Sequence, residues 1–202
     1  VGMAVQGNEL CVVVEHLLEV RHLPGDVGAV AGEAATDLVV DAALRHVGQS
    51  APHLFGHASA ENLSRSDAVC SALQLINHWQ DVGIDAAKGT NGRIYLPQDE
   101  MARFGVSDDD IRRRVASADF RQLLRFQVER ARSLMLSGAP LGWYLPGRMG
   151  LEIRAIVAGG LRILDKIEAI DFDVFTRRPV LRPLDWTLIM WRSLVRPLDA
   201  KP

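Results

Sequence analysis

Residues 71–111 read SALQLINHWQDVGIDAAKGTNGRIYLPQDEMARFGVSDDDI, and the spacing of polar side chains in the first part of this stretch decides how the whole chain is interpreted. Asn77, Asp81 and Asp85 follow one another at intervals of four residues. Because an α-helix has 3.6 residues per turn, each interval rotates by only about 40°, and the three side chains stack on one helix face. Gln74, which precedes Asn77 by three residues, joins the same stripe.

Two carboxylates and an amide oxygen in a row form a hard, oxygen-only ligand set. That set suits Mg²⁺, which keeps several waters and is completed by substrate phosphates. An Asp-x3-Asp pair by itself is more often a solvated helix face. Two features favour a metal site here, because a basic turn follows directly and apolar side chains flank the acids, as in a helix packed on most sides. The apolar neighbours are Ile76, Trp79, Val82 and Ile84.

The residues just after the acidic stripe suit a diphosphate and a carbocation. Lys88 and Arg93 are predicted to bind diphosphate, the arginine through paired hydrogen bonds and the lysine as a point charge. A metal and these cations together would stabilise a departing diphosphate and leave a carbocation in a dry pocket. The electron-rich face of the Tyr95 ring favours such a cation.

Helical periodicity and helix-start signals dominate from about residue 58 onward, and no strand alternation competes with them. Ser59 or Asn62 is predicted to cap the helix that carries the stripe, and Ser107, followed by three acids, is predicted to cap another. A basic loop with Arg177, Arg178 and Arg182 precedes the last helix. The predicted helices span about 59–85, 98–103, 108–116, 117–137, 150–170 and 186–194. The predicted fold class is therefore all-α.

Several charged residues on these helices are predicted to face solvent. The run Arg112 to Arg114 is interpreted as a solvated helix face. On the helix over 150–170, alternation of apolar and charged side chains predicts that Arg154, Arg162 and Lys166 point outward. No ligand-binding role is predicted for any of them.

Composition narrows the class of protein. The 202 residues are enough for one domain with one sizeable core. A net charge of −2 provides no general attraction to nucleic acid. Cys11 and Cys70 have neither zinc-site nor disulfide spacing, which indicates a reducing, cytoplasmic location. No stretch reaches the roughly 18 apolar residues of a membrane span. The segment 186–191 with Arg192 and Arg196 is typical either of a helix at a membrane surface or of core packing.

The stretch 71–111 resembles the second aspartate-rich region of squalene and phytoene synthases. In that family the pattern runs Gln-x2-Asn-x3-Asp-x3-Asp, then Gly-Arg-x-Tyr-Leu-Pro, then an acidic residue and Phe-Gly-Val or Phe-Gly-Leu. The resemblance covers about residues 53–195 and implies the all-α isoprenoid synthase fold. The matching residues are Gln74, Asn77, Asp81, Asp85, Gly92, Arg93, Tyr95, Leu96, Pro97, Phe104 and Gly105.

The resemblance also implies a role for each matching polar residue. The stripe would bind magnesium held by a prenyl diphosphate substrate, the arginine of the basic turn would contact the diphosphate, and the tyrosine would lie near the carbocation. The predicted site therefore comprises Asp81, Asp85 and Tyr95 for catalysis, Gln74, Lys88 and Arg93 for substrate binding, and Asn77, Asp81 and Asp85 for the metal.

Within the family, the chain most resembles the hydroxysqualene synthases of hopanoid biosynthesis. Squalene and phytoene synthases proper usually have Arg before the first aspartate and Glu before the second, where this chain has Gln80 and Ile84. His78 also stands where Phe is usual. The segments DKIEAIDFDVF and LDWTLIMW are similar to the hydroxysqualene type. That resemblance implies ionisation of presqualene diphosphate, rearrangement of the cyclopropylcarbinyl cation and capture of water.

Two alternatives stay open at this point: a squalene or phytoene synthase that joins two prenyl diphosphates head to head, and a non-catalytic remnant. The remnant is favoured by residues 1–50, which carry no first aspartate-rich motif. We therefore expect an atypical segment at 1–50, produced by a frameshift, a misplaced start or a truncation. Residues 51–202 are then the C-terminal portion of a synthase domain without its N-terminal helices. The sequence indicates no oligomeric state.

Overall fold

Seven helices and no strand make up the part of the chain that the computed structural model describes, residues 59–88 and 93–195. The prediction of an all-α fold is confirmed for these residues. The atypical segment 1–50, its boundary and the expected loss of N-terminal helices lie outside them. The helices are α1 Ala60–Asp85, α2 Gln98–Arg103, α3 Asp108–Arg112, α4 Ala118–Gly138, α5 Leu141–Tyr144, α6 Gly147–Ala169 and α7 Pro183–Leu194.

Serine caps begin two helices where the sequence predicts them, and Ser117 caps α4 in the same way. The Ser59 hydroxyl accepts a hydrogen bond from the main-chain N–H of Asn62 at 3.1 Å, which decides between the two candidate caps of α1. Ser107 forms a reciprocal capping box with Asp110 at the start of α3. Each cap satisfies N–H groups that the first helical turn leaves without a partner.

Helix α3 is shorter than predicted, since it ends at Arg112 instead of continuing to about residue 116. Arg114 takes φ 56°, in the left-handed region, and the N–H of Val115 bonds back to the carbonyl of Asp110 at 3.1 Å. That closing bond terminates a helix. Arg114 is exposed, as predicted, but it lies beyond the end of α3, and its guanidinium donates to the carbonyl of Phe175 at 2.5 Å.

The core forms where α1 packs along α4 and both pack against α6. Ile76 and Trp79 of α1, Leu124 of α4 and Leu164 of α6 are almost fully buried. Each such side chain contributes about 1.5–3 kcal/mol when it leaves water. At Gly138 a Cβ atom would lie 2.5 Å from the carbonyl oxygen of Arg65, so only glycine lets α1 and α4 approach this closely. This packing orients α1.

Charged residues of α6 hold α7, which corrects the prediction that they face solvent. The Arg154 guanidinium donates to the carbonyls of Ser193 and Gly142, each at 2.7 Å. Arg162 and Lys166 bind the buried carboxylate of Asp185 at 2.7 and 2.6 Å. The apolar parts of these side chains pack between α6 and α7, and their cationic ends neutralise the Asp185 carboxylate, whose burial would otherwise be unfavourable. Within residues 59–88 and 93–195, no helix is long and apolar enough to cross a membrane.

Candidate active site

Two aspartates of α1 have buried side chains, although carboxylates usually lie at the protein surface. Asp81 is 7% exposed and Asp85 is 1% exposed. The four-residue spacing of the sequence places them one turn apart on the helix. Burial of a carboxylate is unfavourable unless a cation or hydrogen-bond donor faces it, so the surroundings of both acids are informative.

Asp81 forms an ion pair with an arginine far away in the sequence. Its Oδ1 atom accepts a hydrogen bond from Nε of Arg178 at 2.5 Å, and 97 residues separate the two. Arg178 lies in the loop between α6 and α7, and 29% of its side chain is exposed. The arginine therefore neutralises a buried acid while it keeps access to solvent.

Asp85 is held by the residues that follow it. Its Oδ1 atom lies 2.7 Å from Nζ of Lys88. Its main-chain carbonyl accepts hydrogen bonds from the N–H of Lys88 at 3.1 Å and from the N–H of Arg93 at 2.8 Å. The chain thus turns back on the end of α1, which brings the predicted diphosphate-binding residues Lys88 and Arg93 next to Asp85.

An aromatic contact continues the site along α1. The ring of Tyr95 stacks on the ring of His78, with centroids 4.3 Å apart and an angle of 23° between the planes. The Tyr95 hydroxyl accepts from the Arg93 guanidinium at 3.4 Å. Nε2 of His78 lies 3.4 Å from Nε2 of Gln74. Asn77, on the neighbouring turn of the stripe, is half-buried.

The loop that carries Arg178 is docked on α1 at two further points. Nε2 of Gln80 donates to the carbonyl of Pro179 at 2.5 Å, and the Gln80 side chain is fully buried. At Gly83 a Cβ atom would lie 2.9 Å from the carbonyl oxygen of Val174. The absence of a side chain at this glycine therefore allows the loop backbone to lie directly on the helix.

Comparison with known proteins identifies the family of the chain. A family model described as squalene/phytoene synthase matches residues 40–185. The chain belongs to the squalene/phytoene synthase family.

Relatives within the squalene/phytoene synthase family include plant enzymes and a bacterial structure. The chain is 33% identical to phytoene synthase of Narcissus pseudonarcissus over 153 residues, which is 70% of this chain and 36% of the relative. It is 38% identical to phytoene synthase 2 of Solanum lycopersicum over 130 residues, or 62% of this chain and 41% of the relative. The crystal structure of squalene synthase HpnC from Alicyclobacillus acidocaldarius superposes with a TM-score of 0.60 at 35% identity, covering 64% of this chain and 48% of that one. The chain therefore spans less than half the length of these relatives.

The donor set of α1 suits magnesium that arrives with a diphosphate. Within the described residues, no group of three or more His, Cys, Asp and Glu side chains is arranged to hold a metal. Mg²⁺ is usually bound by one or two carboxylates, with substrate phosphates and water completing its octahedron. Asp81 and Asp85, with the amide of Asn77 beside them, meet that requirement. They do not form a closed cage of the kind that holds structural zinc.

Arg178 and Gln80 are the residues of this site to which sequence reasoning gave no role. The basic cluster of Arg177, Arg178 and Arg182 was visible, but nothing in it distinguishes the arginine that reaches α1. Gln80 was noticed only as a departure from the usual arginine of squalene and phytoene synthases. Both act through long-range contacts, which helix periodicity cannot indicate.

Proposed function

We propose that this chain carries the second aspartate-rich half of an isoprenoid synthase site, which converts presqualene diphosphate to hydroxysqualene. The C–O bond to the diphosphate breaks, and its electron pair leaves with the diphosphate. The cyclopropylcarbinyl cation rearranges, water forms a new C–O bond, and one proton is released. Magnesium, when bound, would neutralise the leaving diphosphate and make its departure easier.

The residues of the chain divide this work by their chemistry. Asp81 and Asp85, with the amide of Asn77, would hold the metal, while Gln74 lines the same face. Lys88 and Arg93 would bind diphosphate oxygens, since both side chains are cationic and lie at the end of the stripe. The ring of Tyr95 would face the cation, whose charge an aromatic surface stabilises.

The observation that carries the proposal is the burial of two carboxylates one turn apart, each with a cation at one oxygen. Asp81 meets Arg178 and Asp85 meets Lys88, at 2.5 and 2.7 Å. Acids on a solvated helix face would be exposed and paired loosely. A site in which cations already face carboxylates has the mixed charge that a magnesium diphosphate requires.

Turnover of presqualene diphosphate by the purified chain tests the proposal. Diphosphate release and product identity are followed with and without magnesium, beside the variants Asp81→Ala and Asp109→Ala. Asp109 is an exposed acid of α3 and serves as the matched control. We expect magnesium-dependent hydroxysqualene from the parent and from Asp109→Ala, and at least a hundredfold slower release from Asp81→Ala. A folded parent that releases no diphosphate would be the non-catalytic remnant.

A second candidate is a head-to-head squalene or phytoene synthase. It is favoured by the phytoene synthases to which the chain is 33% and 38% identical. Such an enzyme would join two prenyl diphosphates instead of accepting presqualene diphosphate as the first substrate. Incubation with farnesyl or geranylgeranyl diphosphate separates the two, because a C30 or C40 product from these substrates favours the condensing enzyme.

We also propose that α7 contacts an anionic membrane surface, where such substrates dissolve. Leu184, Trp191 and Leu194 are 83%, 65% and 63% exposed, and Arg192 lies beside them with 44% of its side chain exposed. Aromatic and aliphatic side chains next to a cation are typical of a helix in the lipid interface. Co-sedimentation should be stronger with phosphatidylglycerol vesicles than with phosphatidylcholine vesicles, and Trp191→Ser should weaken it. Equal co-sedimentation of the parent and of Trp191→Ser with phosphatidylglycerol vesicles would contradict the proposal.

A further inference from the structure

The amide of Gln80 occupies an unusual position beside the carboxylate stripe. Its side chain is 1% exposed, and Nε2 donates to the carbonyl of Pro179 at 2.5 Å. The Oε1 atom has no hydrogen-bond donor among the described residues. A flipped amide would place Oε1 against the carbonyl oxygen of Pro179, so the orientation is set by the bond itself.

The buried amide of Gln80 contributes little to the stability of the core. Burying an oxygen that receives no donor is unfavourable, and one hydrogen bond offsets only part of that cost. An apolar side chain of the same size would fill the space without the penalty. The position of the bond matters more than its strength, because the residue that accepts it is the neighbour of Arg178.

Two adjacent residues of α1 thus hold two adjacent residues of the loop. Gln80 binds the main chain at Pro179, and Asp81 binds the side chain of Arg178 through Nε at 2.5 Å. Arg178 is otherwise a long, partly exposed side chain, 29% accessible, with considerable rotational freedom. The bond from Gln80 to Pro179 fixes the backbone directly after Arg178. It therefore reduces the number of conformations in which the Arg178 guanidinium is away from Asp81.

We infer that Gln80 is a positioning residue, which anchors the loop between α6 and α7 so that the Arg178 guanidinium stays on Asp81, where it faces the diphosphate end of the substrate. The part of the inference that concerns diphosphate rests on the proposed function. The anchoring of the loop by Gln80 does not depend on that function. Gln80 touches no reacting atom. Its effect on binding passes entirely through Arg178.

Limited proteolysis tests the anchor without any ligand. Trypsin cleaves poorly before proline, and Arg178 and Arg182 are both followed by proline, so the bond after Arg177 is the one it cuts between 173 and 182. Mass spectrometry measures the rate of cleavage after Arg177. We expect this rate to be several-fold higher in Gln80→Met than in the parent. Gln122→Met, the same change at an exposed position of α4, should leave the rate unchanged. Equal rates in both variants would overturn the inference.

Binding of magnesium pyrophosphate, measured by calorimetry, tests the route through Arg178. Gln80→Met and Arg178→Met should each weaken binding about tenfold, and the double variant should bind no more weakly than Arg178→Met alone. Multiplied effects in the double variant would mean that Gln80 acts independently, and would overturn the inference. If Gln80→Met does not fold, Gln80→Asn replaces it, since its shorter amide cannot reach Pro179.

The two experiments distinguish failure of the inference from failure of the proposed function. A parent that binds no magnesium pyrophosphate contradicts the proposed function and removes the binding role of Gln80, while the proteolysis result still decides whether Gln80 anchors the loop. A parent that binds, with multiplied effects in the double variant, leaves the proposed function intact and rejects the inference alone.

Discussion

Asp81 on α1 and Asp185 at the start of α7 are both buried aspartates, but their surroundings differ. Asp185 is bound by Arg162 at 2.7 Å, by Lys166 at 2.6 Å and by the main-chain N–H of Arg182 at 2.7 Å. Among the residues that the structure describes, Asp81 has one cationic partner, Arg178, which comes from a loop. A carboxylate offers about four acceptor positions, so Asp185 is nearly saturated and Asp81 is not. Under the proposed function, the contrast separates an acid that holds the fold together from one that binds the metal.

The acid strength of Asp185 reflects its partners. Burial by itself would raise its pKa, but the hydrogen bonds from Lys166, from the N–H of Arg182 and from Arg162 outweigh burial and lower the pKa to about 2. Asp185 is therefore committed to its charged form and to its partners. An acid in that state fastens α6 to α7 and is unsuited to exchange ligands.

The largest expected effect is on folding stability, at Asp185. Replacing Asp185 by Asn should lower the free energy of unfolding by about 3 kcal/mol, because Arg162 and Lys166 lose the charge they neutralise. Urea denaturation measures the change. Asp109→Asn, at an exposed acid with loose ion pairs of 3.8 and 3.9 Å, should change it by less than about 0.5 kcal/mol. Equal losses in the two variants would remove the structural role of Asp185.

At Asp81 the expected effect is on binding instead of stability. Replacing Asp81 by Asn should weaken magnesium pyrophosphate binding at least tenfold in calorimetry, because a charged ligand oxygen is lost. The free energy of unfolding should fall by less than about 1 kcal/mol, since Arg178 can turn its guanidinium to solvent. An unfolding loss as large as that of Asp185→Asn would place Asp81 among the structural acids, and the comparison would fail.

Acid should reduce stability partly through Asp185. In the unfolded chain this carboxyl protonates near its ordinary pKa of 3.8, but in the folded chain only near 2. Its stabilising contribution is complete above about pH 4 and declines as the pH falls towards 2. Glu100, Asp110 and Asp173 also have lowered pKa values, so their contributions decline as the pH falls too. Urea midpoints between pH 5 and pH 2.5 should fall less steeply in Asp185→Asn than in the parent. Parallel curves would contradict this.

The smallest expected effect is at Cys70, a probe of α1 itself. Burial raises the pKa of its thiol to about 11. In a Cys11→Ser background at pH 8, only about one thiol in a thousand would then be ionised, and iodoacetamide should react slowly. Asp81→Asn should leave that rate unchanged if the substitution affects a ligand site and not the packing of α1. Faster labelling would show that the helix had loosened.

Much of the fold could be predicted because its determinants are local. The caps at Ser59 and Ser107 act within three residues, so the sequence places the starts of α1 and α3 correctly. The end of α3 could not be placed, because it depends on the left-handed turn at Arg114 and its contact with Phe175, 61 residues away. The prediction that the charged side chains of α6 face solvent is wrong, because periodicity cannot show that α7 covers them.

The candidate site divides in the same way. The stripe from Gln74 to Asp85 follows from spacing alone, and the turn that brings Lys88 and Arg93 to Asp85 is close in sequence. The stacking of Tyr95 on His78 joins two segments that no periodic pattern relates. The roles of all these residues in binding and catalysis stay predictions, to be decided by the measurements above.

By itself, the sequence determined that the described chain is helical, where α1, α3 and α4 begin, and that two acids and an amide share one face of α1. These properties depend on interactions over three or four residues, which the order of residues specifies directly. Only the tertiary structure decided that Arg178 neutralises Asp81, across 97 residues, and that Gln80 binds the neighbouring carbonyl. Those contacts depend on how α1, α4 and α6 pack, and close packing brings together residues that no local rule connects.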